Sequence, residues 1–308
     1  MKCHIPVFII VALILIASAT VLSHTAFSAP PEVTFKIGAQ GSYGSGISES
    51  NITYKPFGDI ALNTSIMTLR AGIAENIDYQ ILDGYGNYDT INTTQGKGGI
   101  SLYPFKAIEV GAEYRYTKGG SGYISHDIFG EAILYLGALA LEANYNTITT
   151  EYEFDGVPVT IDTKTAAGKL SFTRNDWTVE GGYEYQSIRF DTLDYDYTKN
   201  LLRLGIIPDT GRKLLLMAGA GGGGDSADYT IFSGDVGLIW KITSHLRLKG
   251  MYIISYYSAP DVNSTTSTKS GKTSASDRGS GTNPFLESSL VDQSYTSQNV
   301  TLGMYLEF

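Results

Sequence analysis

Between Gly99 and Lys118 the chain alternates apolar and polar residues for almost its whole length. Ile100 and Leu102 lead into a break at Pro104-Phe105-Lys106, and Ile108, Val110, Ala112, Tyr114 and Tyr116 lead away from it. Glu109, Gly111, Glu113 and Arg115 fill the positions between. A period of two places one set on each face of a β-strand. The same pattern returns along the chain in runs of ten residues or more. Strands of soluble sandwiches are typically about five or six residues long. A tilted strand that crosses a bilayer needs roughly 9–11. The length of these runs points to a membrane-crossing sheet.

Short breaks separate the runs on one side. They fall at Pro104–Lys106, Gly137-Ala138, Arg174-Asn175-Asp176, Pro208–Gly211 and Ile242–His245. Longer and more polar connections are expected on the other side, at 83–95, 119–125, 151–158, 188–198, 221–228 and 258–292. A first strand is read at 33–43 and two weaker ones at 51–61 and 65–82. The total is about fourteen strands, with twelve to sixteen compatible with the ambiguous segments. Short turns alternating with long loops resemble the plan of outer-membrane barrels. The expected fold is therefore an all-β, transmembrane, antiparallel up-and-down β-barrel. Tyr103/Phe105, Tyr114/Tyr116, Trp177, Trp240 and Tyr256/Tyr257 lie near strand ends, where interfacial girdles are expected.

The two ends of the chain agree with that fold. Val300, Leu302, Met304, Leu306 and Phe308 alternate to the last residue. With Thr301, Gly303, Leu306 and the terminal Phe308, the stretch resembles the C-terminal targeting signal of bacterial outer-membrane β-barrels. That resemblance implies recognition of the last strand by the barrel assembly machinery, a Gram-negative outer-membrane location, and contact with outer-membrane lipid and lipopolysaccharide. At the other end Lys2 precedes an apolar run from Val7 to Ala19, and small residues follow up to Ala29. This is the layout of a signal peptide over residues 1–29, cut between 19 and 29. The barrel domain then spans 30–308, its first strand starting a few residues after the cut, with no long segment ahead of it to act as a plug. Cys3 is removed with the leader, leaving no cysteine for disulfides or thiol chemistry.

The 22 tyrosines and 35 glycines suit strands, and the formal charge of −9 argues against nucleic acid. If the apolar face meets lipid, charged residues in register with the polar face line the lumen. These are Glu109, Glu113, Arg115, Glu131, Glu142, Lys169, Glu180, Glu184, Arg203, Asp235, Arg247 and Lys249. The alternative orientation is costly, about 2–4 kcal/mol for one Arg or Lys at the lipid midplane.

Signals for catalysis are thin. Ser125-His126-Asp127 holds triad residue types, but consecutive strand residues point to opposite faces. Asp194 and Asp196 are spaced to share one face at the rim, whereas His245 falls in a short turn without such partners. With only His126 and His245, plus His24 if cleavage is early, no transition-metal site is expected, and no cofactor. Gly219–Gly224 lacks the Lys-Ser/Thr of a phosphate loop, and a strand tip or a close backbone approach accounts for it better. Ser264–Ser280 is low in complexity and reads as an external loop, with partner binding the sharper alternative.

Three functions follow from a barrel of this kind. The first is a diffusion channel for small solutes through a polar, mixed-charge lumen. The second is a non-conducting barrel that serves as a structural sleeve or assembly partner. The third is a transporter of hydrophobic ligands, and an outer-membrane hydrolase ranks below all three.

Overall fold

The computed structural model describes residues 31–45, 50–81, 88–120, 122–154, 156–191, 195–208, 213–259 and 294–308. The leader at 1–29, Asp194, and the segment Ser264–Ser280 lie outside them. The chain forms fourteen strands among the described residues. In the first half these are β1 (Glu32–Ser45), β2 (Ser50–Asn63), β3 (Met67–Ile81), β4 (Tyr88–Phe105), β5 (Ile108–Gly119), β6 (Ile124–Leu136) and β7 (Leu139–Phe154). In the second half they are β8 (Val157–Arg174), β9 (Trp177–Phe190), β10 (Tyr195–Pro208), β11 (Leu214–Asp225), β12 (Thr230–Lys241), β13 (Leu246–Ser258) and β14 (Tyr295–Glu307). Each strand pairs antiparallel with its chain neighbours, and β1 pairs with β14 to close a barrel.

Closure removes the free edges that an open sheet would present. At the seam Phe35 and Phe308 exchange two backbone hydrogen bonds of 2.9 Å. The short turns use residues suited to them. Gly137 and Asn175 take positive φ values of 68° and 54°. The Thr64 hydroxyl accepts the Met67 N–H at 3.1 Å, and the Thr243 hydroxyl accepts the Leu246 N–H at 2.9 Å.

Burial in this molecule is the reverse of a soluble domain. Among the described residues the buried apolar side chains are Ala74, Leu201, Tyr229 and Ile231. Large apolar residues instead stand exposed on alternate positions, such as Leu202, Leu204 and Ile206 on β10 and Leu302, Met304 and Leu306 on β14. A continuous exposed apolar band of this extent belongs against lipid. Above the band the outer face turns polar while the ladder continues, as in the rung Thr149–Asp162–Arg189–Asp196.

That continuation corrects the expected loops. Tyr88 to Gln95 belong to β4, β7 and β8 extend over most of 151–158, and β11 absorbs Gly219–Gly224. Asp196 likewise stands in β10 rather than in a loop. Beyond the lipid band no apolar face is required, so the alternation fades while backbone pairing persists. Two of the expected girdle tyrosines also turn inward. Tyr103 reaches Thr68 at 3.4 Å, and Tyr257 stacks on Tyr295.

Candidate functional site: the inner face of the barrel

Directly paired residues of antiparallel strands share a face, so the register carries one face around the whole barrel. Glu142 pairs with Lys169, Lys169 with Gly182 and Gly182 with Arg203. Arg203 pairs with Gly221, and Gly221 with Ser233, one position in the alternation from Asp235. All twelve charged residues expected from the sequence fall on this face, opposite the exposed apolar side chains. The face is concave, because contacts on it skip strands. Lys97 on β4 meets Asp59 on β2 at 2.8 Å, and Arg203 on β10 pairs with Asp235 on β12.

Ion pairing consumes much of this charge. Arg115 bridges Glu113 at 2.5 Å and Asp127 at 3.0 Å. Lys169 lies 2.7 Å from Glu142 and 3.8 Å from Glu180, and Arg247 lies 2.6 Å from Glu307. Partly exposed pairs of this kind are worth about 0.2–1 kcal/mol each. Their importance here is positional, since they hold long side chains against the wall.

Glycines complete the arrangement. A Cβ at Gly111 would sit 2.7 Å from Oε1 of Glu131, and one at Gly205 would sit 2.9 Å from Cγ of Glu180. At Gly219 it would meet Oδ1 of Asp235 at 2.8 Å. At Gly72 it would collide with the Asp59–Lys97 pair. Each of these acids lies flat in the space that a missing side chain leaves. These four carboxylates therefore lie along the wall rather than across the bore.

Two recesses open in the wall. One, of about 290 Å³, is bordered by Glu142, Lys169, Glu180, Glu184, Arg203 and Asp235 on β7–β12. The other, of about 210 Å³, is bordered by Lys36, Asp59, Arg70, Lys97, Glu113 and Glu307 around the seam. The sequence reading missed Lys36, Asp59, Arg70 and Lys97 because β1–β4 alternate less cleanly than the later strands. The offset of Leu69, Ala71 and Ile73 from Arg70 and Gly72 was the signal that marks their face.

Nearer the long-loop end the inner wall changes character. Leu201, Gly223, Ile231, Tyr257 and Tyr295 form one rung across β10–β14. Tyr257 and Tyr295 stack at 4.5 Å, and Tyr229 packs edge-on to Tyr295 at 5.8 Å. The Lys199 ammonium donates to the Tyr257 hydroxyl at 3.3 Å, and the Tyr197 hydroxyl donates to Asp225 at 2.9 Å. Ile231 is fully buried and Leu201 nearly so. This is a small packed core on one side of the lumen.

The Ser125-His126-Asp127 run is split between faces. Ser125 and Asp127 lie inside, where Asp127 is held by Arg115. His126 lies outside, its Nδ1 2.7 Å from the Tyr114 hydroxyl. His245 stacks on the terminal Phe308 with ring centres 5.4 Å apart.

No family model and no curated protein matches this chain. Solved structures do resemble it. A FadL homologue from Pseudomonas aeruginosa aligns over 90% of this chain and 90% of its own, at 8% identity and a TM-score of 0.54. The CymD monoaromatic hydrocarbon channel aligns over 89% of this chain and 88% of its own, at 9% identity and a TM-score of 0.53. At such identities the likeness is one of fold.

Proposed function

From a chain that has the fold of a bacterial outer-membrane β-barrel, we propose a diffusion channel that carries small polar solutes across the outer membrane of a Gram-negative bacterium. One observation supports this reading above the others. Many of the inner charges are paired across the wall or laid over glycines, so these polar groups border the bore rather than extend across it. Charged rings at close quarters bias what permeates such a passage. Planar-bilayer recording tests it: stepwise currents that change when Glu109, Glu113 and Glu184 become Gln support the channel. A correctly inserted but silent barrel favours the sleeve.

A second reading, passage of an apolar ligand, draws on the aromatic–aliphatic rung at Leu201, Ile231, Tyr257 and Tyr295 and on the fold shared with a monoaromatic hydrocarbon channel. Uptake of a monoaromatic hydrocarbon by cells expressing the barrel, against a Tyr257→Ala variant, separates the two. We read Thr301, Gly303, Leu306 and Phe308 as the assembly signal and the exposed band as the surface for lipid and lipopolysaccharide. Phe308 is 60% exposed at the rim, which leaves its ring accessible.

A further inference from the structure

On β11–β13 the inner face carries an apolar strip. Leu215 pairs with Ile239, Met217 with Gly237 and Gly237 with Met251, and Ile253 is the next inward residue of β13. On β7 and β9 the inward positions hold Glu142, Glu180 and Glu184 instead. The recess of about 290 Å³ straddles the border between strip and acids. Its volume is close to the lower end of the roughly 300–1,000 Å³ of small-molecule sites. Met217, Met251 and Ile207 form its apolar side. Thioethers are polarizable, adapt to irregular shapes and make favourable contacts with aromatic rings.

The charges on the recess do not cancel. Four carboxylates, Glu142, Glu180, Glu184 and Asp235, border it against two cations, Lys169 and Arg203. Lys169 lies 2.7 Å from Glu142 but 3.8 Å from Glu180, and Arg203 is taken by Asp235. Glu184 makes no ion pair among the described residues. Gly205 lets Glu180 lean from β9 over β10 toward the methionines, since a Cβ there would sit 3.0 Å from its Oε1. The charges just beyond the recess leave this excess in place. Glu131, with Arg70 in electrostatic reach of it, pairs in register with Asn144 at the edge and adds a further acid. Lys249, the next inward residue from Met251, pairs in register with Ile239 outside the recess, and Lys199 is turned to Tyr257.

We propose that this recess binds a primary aryl-alkyl ammonium, with its ring on Met217 and Met251 and its head at Glu180 and Glu184. The two acids stand on either side of Gly182, and an ammonium has three N–H donors to share between them. Neighbouring strands lie about 4.8 Å apart, so β9 and β11 are separated by the reach of a short arylalkyl chain. A carboxylate of the same shape meets unpaired acids, and a like-charge contact is costly. A bare alkyl ammonium leaves the methionines uncovered. The inference rests on the reading of the barrel as an open channel, because the recess faces the bore, and it names a substrate class for that channel.

Block of the potassium chloride current of the full-length barrel in planar bilayers tests the proposal. The probes are phenethylamine, phenylacetate, phenethyl alcohol and ethylamine, at neutral pH. Phenethylamine is expected to half-block at a concentration about tenfold below that of each of the others. E180Q/E184Q should raise its half-blocking concentration about tenfold, relative to that variant's own current, and leave phenethyl alcohol unchanged. M217S/M251S should raise it about fivefold and leave ethylamine unchanged. Heat-modifiable gel migration checks that each variant is folded, and E184Q alone, which breaks no ion pair, gives a smaller shift of the same sign if the double variant fails to fold. Equal half-blocking concentrations for the four probes, or an unchanged block by phenethylamine in E180Q/E184Q, overturn the proposal and leave the channel standing. A silent barrel overturns the channel reading, and equilibrium dialysis of phenethylamine against the barrel in nanodiscs then decides the recess. Retention that falls in E184Q supports the site, and equal or absent retention overturns it.

Discussion

Asp235 lies across Gly219, so that a single added carbon at 219 would stand 2.8 Å from its Oδ1. The pair joins two strands, since Gly219 on β11 is the direct partner of Asp235 on β12. The carboxylate is held there by Arg203 from the far side of β11. Backbone pairing, an absent side chain and an ion pair together fix one acid against the wall.

Gly219→Ala is expected to lift Asp235 off the wall and into the bore. The barrel should still fold, because the obstacle is the end of a side chain. Single-channel conductance should fall by a measurable fraction, and Gly219→Ala combined with Asp235→Ala should restore it. An unchanged current in the single variant would show that Asp235 does not border the permeation path.

Gly223 is different, because a Cβ there would clash with the backbone carbonyl oxygen of Asn200. Here nothing flexible can move aside. Gly223→Ala should lower the yield of heat-modifiable, folded barrel far more than Gly219→Ala does. Equal folding yields would count against this close approach of β10 and β11.

The packed rung on the inner wall makes a stability prediction. Ile231 is fully buried beside Leu201 and the tyrosines. Ile231→Ala should cost about 2–5 kcal/mol, as truncations of buried aliphatic residues do, read from the urea midpoint in detergent or vesicles. A shift no larger than that of exposed Leu202→Ala would contradict the packing.

Arginine placed on alternate residues of β10 distinguishes the two faces. Leu204 is 65% exposed on the lipid side, and its neighbour Gly205 faces inward. Leu204→Arg should destabilise the inserted barrel by about 2–4 kcal/mol. Gly205→Arg should leave insertion largely intact and displace Glu180 instead. Equal losses of stability at the two positions would refute the assignment of faces.

At the seam the last two residues are held by three kinds of contact. Phe308 exchanges backbone hydrogen bonds with Phe35 and stacks on His245, and Glu307 pairs with Arg247. Deleting Phe308 should lower the temperature at which the barrel loses its folded gel mobility. His245→Ala should lower it less, because the two backbone bonds remain. No change on deletion would show that closure does not depend on this terminus.

Much of this was readable along the chain, for a definite physical reason. Lipid on one face and polar groups on the other impose period two, so Ile108 to Tyr116 and Val300 to Phe308 disclose strands, faces and membrane crossing together. The inward position of Glu142, Lys169 and Arg203 follows from alternation alone. The reading weakened where that demand weakens. Thr149, Asp162 and Arg189 lie above the lipid band, and there the ladder continues without an apolar face to mark it.

Which inner residues meet was decided only by the closed structure. Lys97 and Asp59 are brought together across Gly72 by curvature and register, and nothing in their separation along the chain announces it. The same holds for Arg203 and Asp235, which meet across β11, and for Lys36, whose neighbour Tyr305 comes from the far end of the sequence. Alternation is a local property, set by two-residue geometry and by lipid. The pairing of charges depends on strand order, stagger and closure, which exist only once the last strand has met the first.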